Sequence, residues 1–124
     1  MLHDDELLDV LRSAVTAHGR WRFKLRAAAN GGTPIDPATA SRDDVCDVGK
    51  WLHGTGAQLY SNLLEYQDVL EAHATFHTVA GNCAATIRTS GPRSLATIFE
   101  AQSEFSRASA QLIDSLLVWE LSER

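Results

Sequence analysis

The chain has 124 residues, 44% of them hydrophobic and 22% charged, and its formal net charge at pH 7 is −5. Eleven basic residues against sixteen acidic ones argue against nucleic-acid binding, and no apolar run reaches the roughly 18 residues of a membrane span. The acidic start is unlike a signal peptide, so we expect a cytoplasmic protein, with residues 1–124 forming a single domain.

Proline and glycine divide the chain into four segments. The breaks lie at 30–37 and 90–92, with a weaker one at 54–56. The segments between them are 4–29, 37–53, 57–89 and 93–122. The longer segments carry apolar residues at alternating spacings of three and four, which is typical of helices with one buried face. Because long helices joined by short connections pack as antiparallel neighbours, we predict an all-α fold, an antiparallel four-helix bundle.

The second helix is predicted to be short and broken. Asp36 before Pro37 is typical of an N-cap residue followed by proline in the first turn. The sequence S-R-D-D at 41–44 indicates a second helix start with carboxylates in its first turn. We therefore predict a short helical piece at about 37–41 and another at about 42–53.

The predicted buried faces contain histidines where leucine is expected. His18 lies midway along the face of the first helix, and the face of the third runs from Leu59 through His73 and His77 to Ile87. A buried neutral imidazole loses about 1–3 kcal/mol for each ring nitrogen that lacks a partner. One core histidine bonded to a carbonyl group is common, but three at one level of a bundle suggest a site.

The histidine spacing suits a metal ion. His73 and His77 are four residues apart, so both rings project from one helix face, and no glutamate between them provides the base of a zinc protease. An antiparallel bundle brings His18 towards the same point, and Cys46 is available as a fourth ligand. One thiolate and three imidazoles favour zinc over magnesium or calcium. Cys83, six residues beyond His77, is interpreted as a packing residue.

A family resemblance supports this interpretation. The sequence C-D-V-G-K-W-L at 46–52 resembles the C-x-L-G-K-W-L core of the bacterial chemoreceptor zinc-binding domain, with valine in place of leucine. An upstream histidine followed by tryptophan three residues later is matched by His18 and Trp21, and a downstream H-x2-F-H segment by residues 73–77. The resemblance spans roughly residues 15–80. It implies that zinc is bound by His18, Cys46, His73 and His77.

The resemblance also implies a function. Members of that family are cytoplasmic helical sensor modules, usually homodimeric, attached to chemoreceptor signalling domains or to diguanylate cyclase domains of cyclic-di-GMP signalling. We expect zinc occupancy, or oxidation of Cys46 by an oxidant such as hypochlorous acid, to shift the bundle and regulate a partner or an attached output domain. The 124 residues leave no room for an output domain of their own. Four protein ligands close a zinc site to substrate, so we do not expect an enzyme.

Four residues are candidates for the surroundings of the metal. Asp43 and Asp47 flank Cys46, and either carboxylate could accept the second N–H of a ligand imidazole. Trp21 and Trp51 are interpreted as core or as a hydrophobic wall around the metal.

The apolar end of the fourth helix, residues 112–121, needs a second surface against which to pack. A homodimer interface is the simplest explanation, and a heterologous partner is the next.

Two alternatives to a sensor stay open. One is a stand-alone interaction bundle in which zinc is purely structural. The other, a di-iron or haem bundle, is disfavoured because Glu65 lacks the histidine three residues later that di-iron sites use.

Overall fold

The computed structural model describes the backbone of residues 2–123 and the side chains of residues 5–123. These residues form helices and turns with no β-strand among them, which confirms the all-α prediction. The α-helices in chain order are α1 (Leu2–Gly19), α2 (Trp21–Ala29), α3 (Pro37–Ala40), α4 (Asp47–His53), α5 (Thr55–Tyr60), α6 (Leu64–Ser90), α7 (Leu95–Ile98) and α8 (Glu104–Ser122). A 3-10 turn, Gly91–Ser94, joins α6 to α7.

The first predicted helix is interrupted. α1 ends at Gly19 and α2 begins at Trp21, with Arg20 in a turn between them. Glycine is about 1 kcal/mol less favourable than alanine in a helix, so Gly19 is a weak point in this segment. The interruption directly follows His18 and places it in the last turn of α1.

The second segment agrees with prediction at its start and differs at its middle. Asp36 caps α3, because its Oδ2 accepts the backbone N–H of Thr39 at 2.9 Å. The next helix begins at Asp47 rather than at about 42, and residues 42–46 are not helical, with bends at 43–46. The physical reason is that Cys46 caps α4 from an extended backbone, with its Sγ accepting the N–H of Gly49 at 3.4 Å.

The third and fourth segments are also divided. Residues 61–63 separate α5 from α6, so α6 begins at Leu64, and the prediction that Leu59 lies on its buried face is wrong because that side chain is exposed. α6 ends at Ser90, and the next residue, Gly91, has a φ of +57°, which favours glycine. α8 begins after Ser103, whose Oγ accepts the N–H of Ser106 at 3.1 Å.

α6 is the helix on which the others assemble. It packs against α2, α3 and α8, and α8 packs against α1 as well. Aromatic rings fill the space between α6 and α8, with Tyr66 against Trp119 and Phe76 against Phe105. Within residues 2–123, no helix combines the length and hydropathy needed to cross a lipid bilayer.

Candidate metal centre

Four side chains from distant parts of the chain meet beside α6. His18 comes from the last turn of α1, Cys46 from the N-cap of α4, and His73 and His77 from neighbouring turns of α6. One ligand atom of each residue lies within 4.8 Å of those of the other three. The three histidines are at most 2% exposed, whereas Cys46 is half-buried. The structure thus brings together the four residues that the sequence singled out.

The Cys46 sulfur lies between two imidazoles. Its Sγ is 3.3 Å from Nε2 of His73 and 3.6 Å from Nε2 of His77. A tetrahedral zinc ion with ligand distances of about 2.0–2.3 Å holds neighbouring ligand atoms roughly 3.3–3.8 Å apart. Both separations fit such an ion.

Backbone carbonyl groups hold two of the rings. Nδ1 of His18 donates to the carbonyl oxygen of Ala14 at 2.8 Å, and Nδ1 of His77 donates to that of Ala40 at 2.9 Å. A carbonyl oxygen only accepts, so in each ring Nδ1 carries the proton and Nε2 carries a lone pair. Metal-binding histidines commonly have such a partner, because it fixes the tautomer and the ring orientation.

Two ring nitrogens of the cluster are buried and have no hydrogen-bond partner, Nε2 of His18 and Nδ1 of His73. A buried polar atom left without a partner costs about 1–3 kcal/mol. A cation at the centre of the cluster would supply the partner that the lone pair of His18 lacks. The donor set of three imidazoles and one thiol, together with this unpartnered lone pair, fits zinc.

Burial keeps the imidazoles in the form that binds metal. It lowers the pKa of His18 to about 4 and that of His73 to about 3, and it also lowers the pKa of His77. Burial raises the pKa of the Cys46 thiol, against the opposing effect of the Gly49 N–H group. A coordinating thiol is nevertheless deprotonated by the metal itself.

The carboxylates of Asp43 and Asp47 are not the hydrogen-bond partners described for the site histidines, although the charge of Asp43 acts to raise the pKa of His77. Oδ2 of Asp43 is 3.2 Å from Nε2 of His53, and Asp47 is exposed in the first turn of α4. The position predicted for a carboxylate beside a ligand imidazole is taken at His18 and His77 by backbone carbonyls. Sequence reasoning missed these partners because every residue has a carbonyl group.

The two candidate tryptophans, Trp21 and Trp51, have different surroundings. Trp21 packs edge-on against His77 with ring centroids 5.9 Å apart, whereas Trp51 packs against Trp119 at 5.9 Å and against Tyr60. Both line a groove of about 700 Å³ between α1 and α4, together with His18 and Cys46. The groove gives small solutes a route to the half-buried sulfur.

Comparison with known proteins agrees with this geometry. The family model described as the chemoreceptor zinc-binding domain matches residues 18–84, more than half of the 124 residues and a range that includes all four clustered side chains. No curated protein and no solved structure matches the chain. The matched family is a zinc-binding one, and the cluster of three histidines and one cysteine could hold zinc. The chain therefore belongs to the chemoreceptor zinc-binding domain family.

Proposed function

We propose that this chain is a regulatory domain that binds one zinc ion through His18, Cys46, His73 and His77. The observation that carries the proposal is the convergence of four ligand atoms within 4.8 Å of one another. The ring orientation adds support, because the carbonyls of two alanines hold the proton of His18 and of His77 on Nδ1 and so leave Nε2 of both rings unprotonated. When bound, zinc supplies a positive charge that keeps the Cys46 sulfur as a thiolate and links three helices.

Cys46 connects the site to α4. Its sulfur is a ligand candidate and also the N-cap of a helix of only seven residues. A helix this short depends on contacts with the rest of the protein. Zinc occupancy therefore determines how firmly residues 42–53 are held, and a change in the position of this segment is the regulatory signal.

Cys46 is also the residue on which an oxidant acts in this proposal. Its half-buried sulfur lines the groove, whereas the three histidines are buried. With hypochlorous acid, an S–O bond forms and the O–Cl bond breaks; the sulfur loses two electrons and chloride leaves, so RS⁻ + HOCl gives RSOH + Cl⁻. The product is a neutral sulfenic acid, and the site loses its anionic ligand.

The regulated partner is proposed from family membership. We assign the domain to the cytoplasm, where it acts on a chemoreceptor or diguanylate cyclase output domain, either attached or separate. The family's description links it to chemoreceptors. A catalytic role is not part of the proposal, because four protein ligands leave zinc no open position for substrate.

A homodimer is proposed from the end of α8. Val118 and Leu121 are 57% and 64% exposed, and Leu117 beside them is also exposed. A second copy of the chain would cover these side chains. Light scattering of the wild type and of a Val118→Glu variant tests this: a dimer that the substitution dissociates supports it, and a monomeric wild type contradicts it.

The helices are proposed to form an antiparallel four-helix bundle whose second member is the broken segment 37–53. Support comes from the order of the contacts along the chain. Tyr66 near the start of α6 meets Trp119 near the end of α8, and Phe76 in the middle of α6 meets Phe105 at the start of α8. Contacting residues whose numbers increase along one helix and decrease along the other are typical of antiparallel neighbours.

A second candidate function is a stand-alone interaction bundle in which zinc is purely structural. The near-complete burial of the three histidines favours it, because buried ligands release metal slowly. The two functions differ in what chelation does. A structural site predicts that the whole domain unfolds when zinc is removed, whereas a sensor predicts a local change.

Metal analysis tests the zinc site. Wild-type protein purified without a tag or added metal is expected to contain about one zinc ion per chain, and His77→Ala much less. His53→Ala is the matched control, because His53 is exposed and lies beside Asp43 rather than in the cluster. A wild-type protein that takes up no zinc even on titration would contradict the proposal.

A further inference from the structure

Helix α3 lies against α6 at a glycine. Gly81 follows His77 by four residues, so both occupy the same face of α6 one turn apart. A Cβ atom at Gly81 would overlap Oγ of Ser41 and lie 2.9 Å from the carbonyl oxygen of Pro37. Real Cβ atoms do not approach other atoms so closely, so α3 occupies this position only because residue 81 has no side chain.

The same approach provides the hydrogen-bond partner of a candidate ligand. The carbonyl of Ala40, at the end of α3, accepts the Nδ1 proton of His77 at 2.9 Å. α3 has four residues, too few for a helix to be stable by itself, so its position depends on its packing against α6. Ala40 is buried in that packing.

We infer that Gly81 is a positioning residue for the metal centre. By allowing α3 to contact α6, it places the Ala40 carbonyl where it holds the His77 ring with Nε2 towards Cys46. The inference rests on the proposed zinc site and adds to it a residue that contacts no ligand atom. Neither the spacing of the histidines nor the family motif at 46–52 includes this residue.

A methyl group at position 81 would act through the whole of α3. The atoms that it meets are Oγ of Ser41, just after α3, and the carbonyl oxygen of Pro37, which accepts a hydrogen bond from that Oγ at 2.8 Å. The carbonyl is part of the backbone, so relief of this contact requires the helix to move away from α6. The hydrogen bond from His77 is already near the ordinary length, and such a shift weakens it. Loss of an outer partner of this kind lowers metal affinity by about 10–100-fold.

Competition with a chromophoric zinc chelator gives the first test. Gly81→Ala is expected to weaken zinc binding by about 10–100-fold relative to the wild type. The matched control is Gly19→Ala, which is adjacent to His18 but has open space where the Cβ would lie, so wild-type affinity is expected. The double variant Ser41→Gly, Gly81→Ala removes one of the two clashes and is expected to regain part of the affinity.

Cobalt(II) in place of zinc provides a second measurement, the visible ligand-field spectrum, which a general loss of stability does not change. Gly81→Ala is expected to shift the visible ligand-field bands, because the His77 ring is no longer held in one orientation, while Gly19→Ala retains the wild-type spectrum. Asp36→Ala tests the same link without a substitution in α6, since it removes the cap of α3 and the 4.0 Å ion pair between Asp36 and Arg88 of α6. It is expected to weaken zinc binding several-fold. Asp44 is a nearby exposed carboxylate paired with Arg42, so Asp44→Ala is the matched control, and its zinc affinity should be unchanged.

The outcomes separate the inference from the zinc site itself. Wild-type protein that binds zinc, with unchanged affinity and cobalt spectrum in Gly81→Ala and Asp36→Ala, overturns the inference and leaves the site intact. If Gly81→Ala does not fold, unchanged affinity in Asp36→Ala alone overturns it. Wild-type protein that binds no zinc overturns both proposals.

Discussion

The two sides of the candidate metal centre are built differently. α6 has 27 residues, packs against three other helices and buries both of its site histidines. The opposite side is the segment 42–53, which consists of bends and the seven-residue α4, and its Cys46 is half-buried. One side is thus a helix packed along its length. The other is a short helix that packs through Leu52 and Trp51 and whose N-terminus is capped by the sulfur of the site itself.

This difference indicates where a change at the site has its effect. Local stability follows the number of buried contacts, so short segments with few of them open before the core does. Cys46 is where the two sides meet, since its sulfur caps α4 and lies 3.3 Å from His73. A change at the metal should therefore move 42–53 and leave α6 in place.

Removal of zinc is expected to have the largest effect. Chelation should accelerate amide hydrogen exchange in 42–53 by about 100-fold or more, because metal binding contributes several kcal/mol to small sites. Amides in the middle of α6 should change far less, since buried packing rather than the metal holds them. Exchange measured with and without chelator tests this, and equal acceleration in both regions would contradict the contrast between them.

Cys46→Ser should have the next largest effect. It removes the sulfur, so zinc affinity should fall by more than the roughly 100-fold upper value for an outer partner, and release of zinc by hypochlorous acid should disappear. Cys83→Ser is the control: Cys83 is buried, and burial raises the pKa of its thiol to about 11, so it should be unreactive. Oxidant-driven release that persists in Cys46→Ser would exclude the proposed redox role.

Acid should destabilise the zinc-free protein. The folded-state pKa values of about 4 for His18 and about 3 for His73 lie below the ordinary 6.5, so between pH 6.5 and 4 the unfolded chain binds protons that the folded one does not. The free energy of unfolding is therefore highest above this window. It decreases as the pH is lowered, by up to about 1.4 kcal/mol per pH unit for each histidine. Urea unfolding at several pH values measures it.

His73→Leu sharpens the pH experiment. It removes one of the buried histidines whose pKa is lowered, so it should reduce the dependence of the free energy of unfolding on pH. If the free energy of unfolding changed with pH equally in His73→Leu and in the wild type, other groups would cause the acid sensitivity.

Gly49→Ala should have the smallest effect. A Cβ at Gly49 would overlap the carbonyl oxygen of Asp43, so the bends before α4 have to shift. We expect a loss of about 1–3 kcal/mol in the free energy of unfolding, the range for an overpacked contact, and a several-fold weaker zinc affinity. Gly19→Ala, with open space where the Cβ would lie, should show no loss of either quantity. If Gly49→Ala changed neither the free energy of unfolding nor the zinc affinity, the bends before α4 would adapt easily to the added Cβ.

Much of the site could be predicted before the fold was known. Two histidines four residues apart share a helix face in any α-helix, so His73 and His77 formed a candidate pair by periodicity alone. The motif at 46–52 added Cys46 through a family resemblance. The all-α class followed from apolar spacing, because local periodicity reflects which face of a helix is buried.

The helix boundaries were less predictable. The chain breaks at Arg20 and at 61–63, and α4 starts only at Asp47, although helical spacing continues through each of these points. Tertiary contacts decide such boundaries. The start of α4, for example, is capped by the Cys46 sulfur and lies against the carbonyl of Asp43 at Gly49, and no spacing rule predicts that these groups are close together.

The amino-acid sequence by itself determined which side chains could bind a metal, since ligand chemistry belongs to residue type. Only the tertiary structure decided how those side chains are held. The carbonyls of Ala14 and Ala40 orient two of the rings, and Gly81 admits the helix that carries one of these carbonyls. Backbone groups are the same in every residue, so their roles appear only when packing brings them next to a particular side chain.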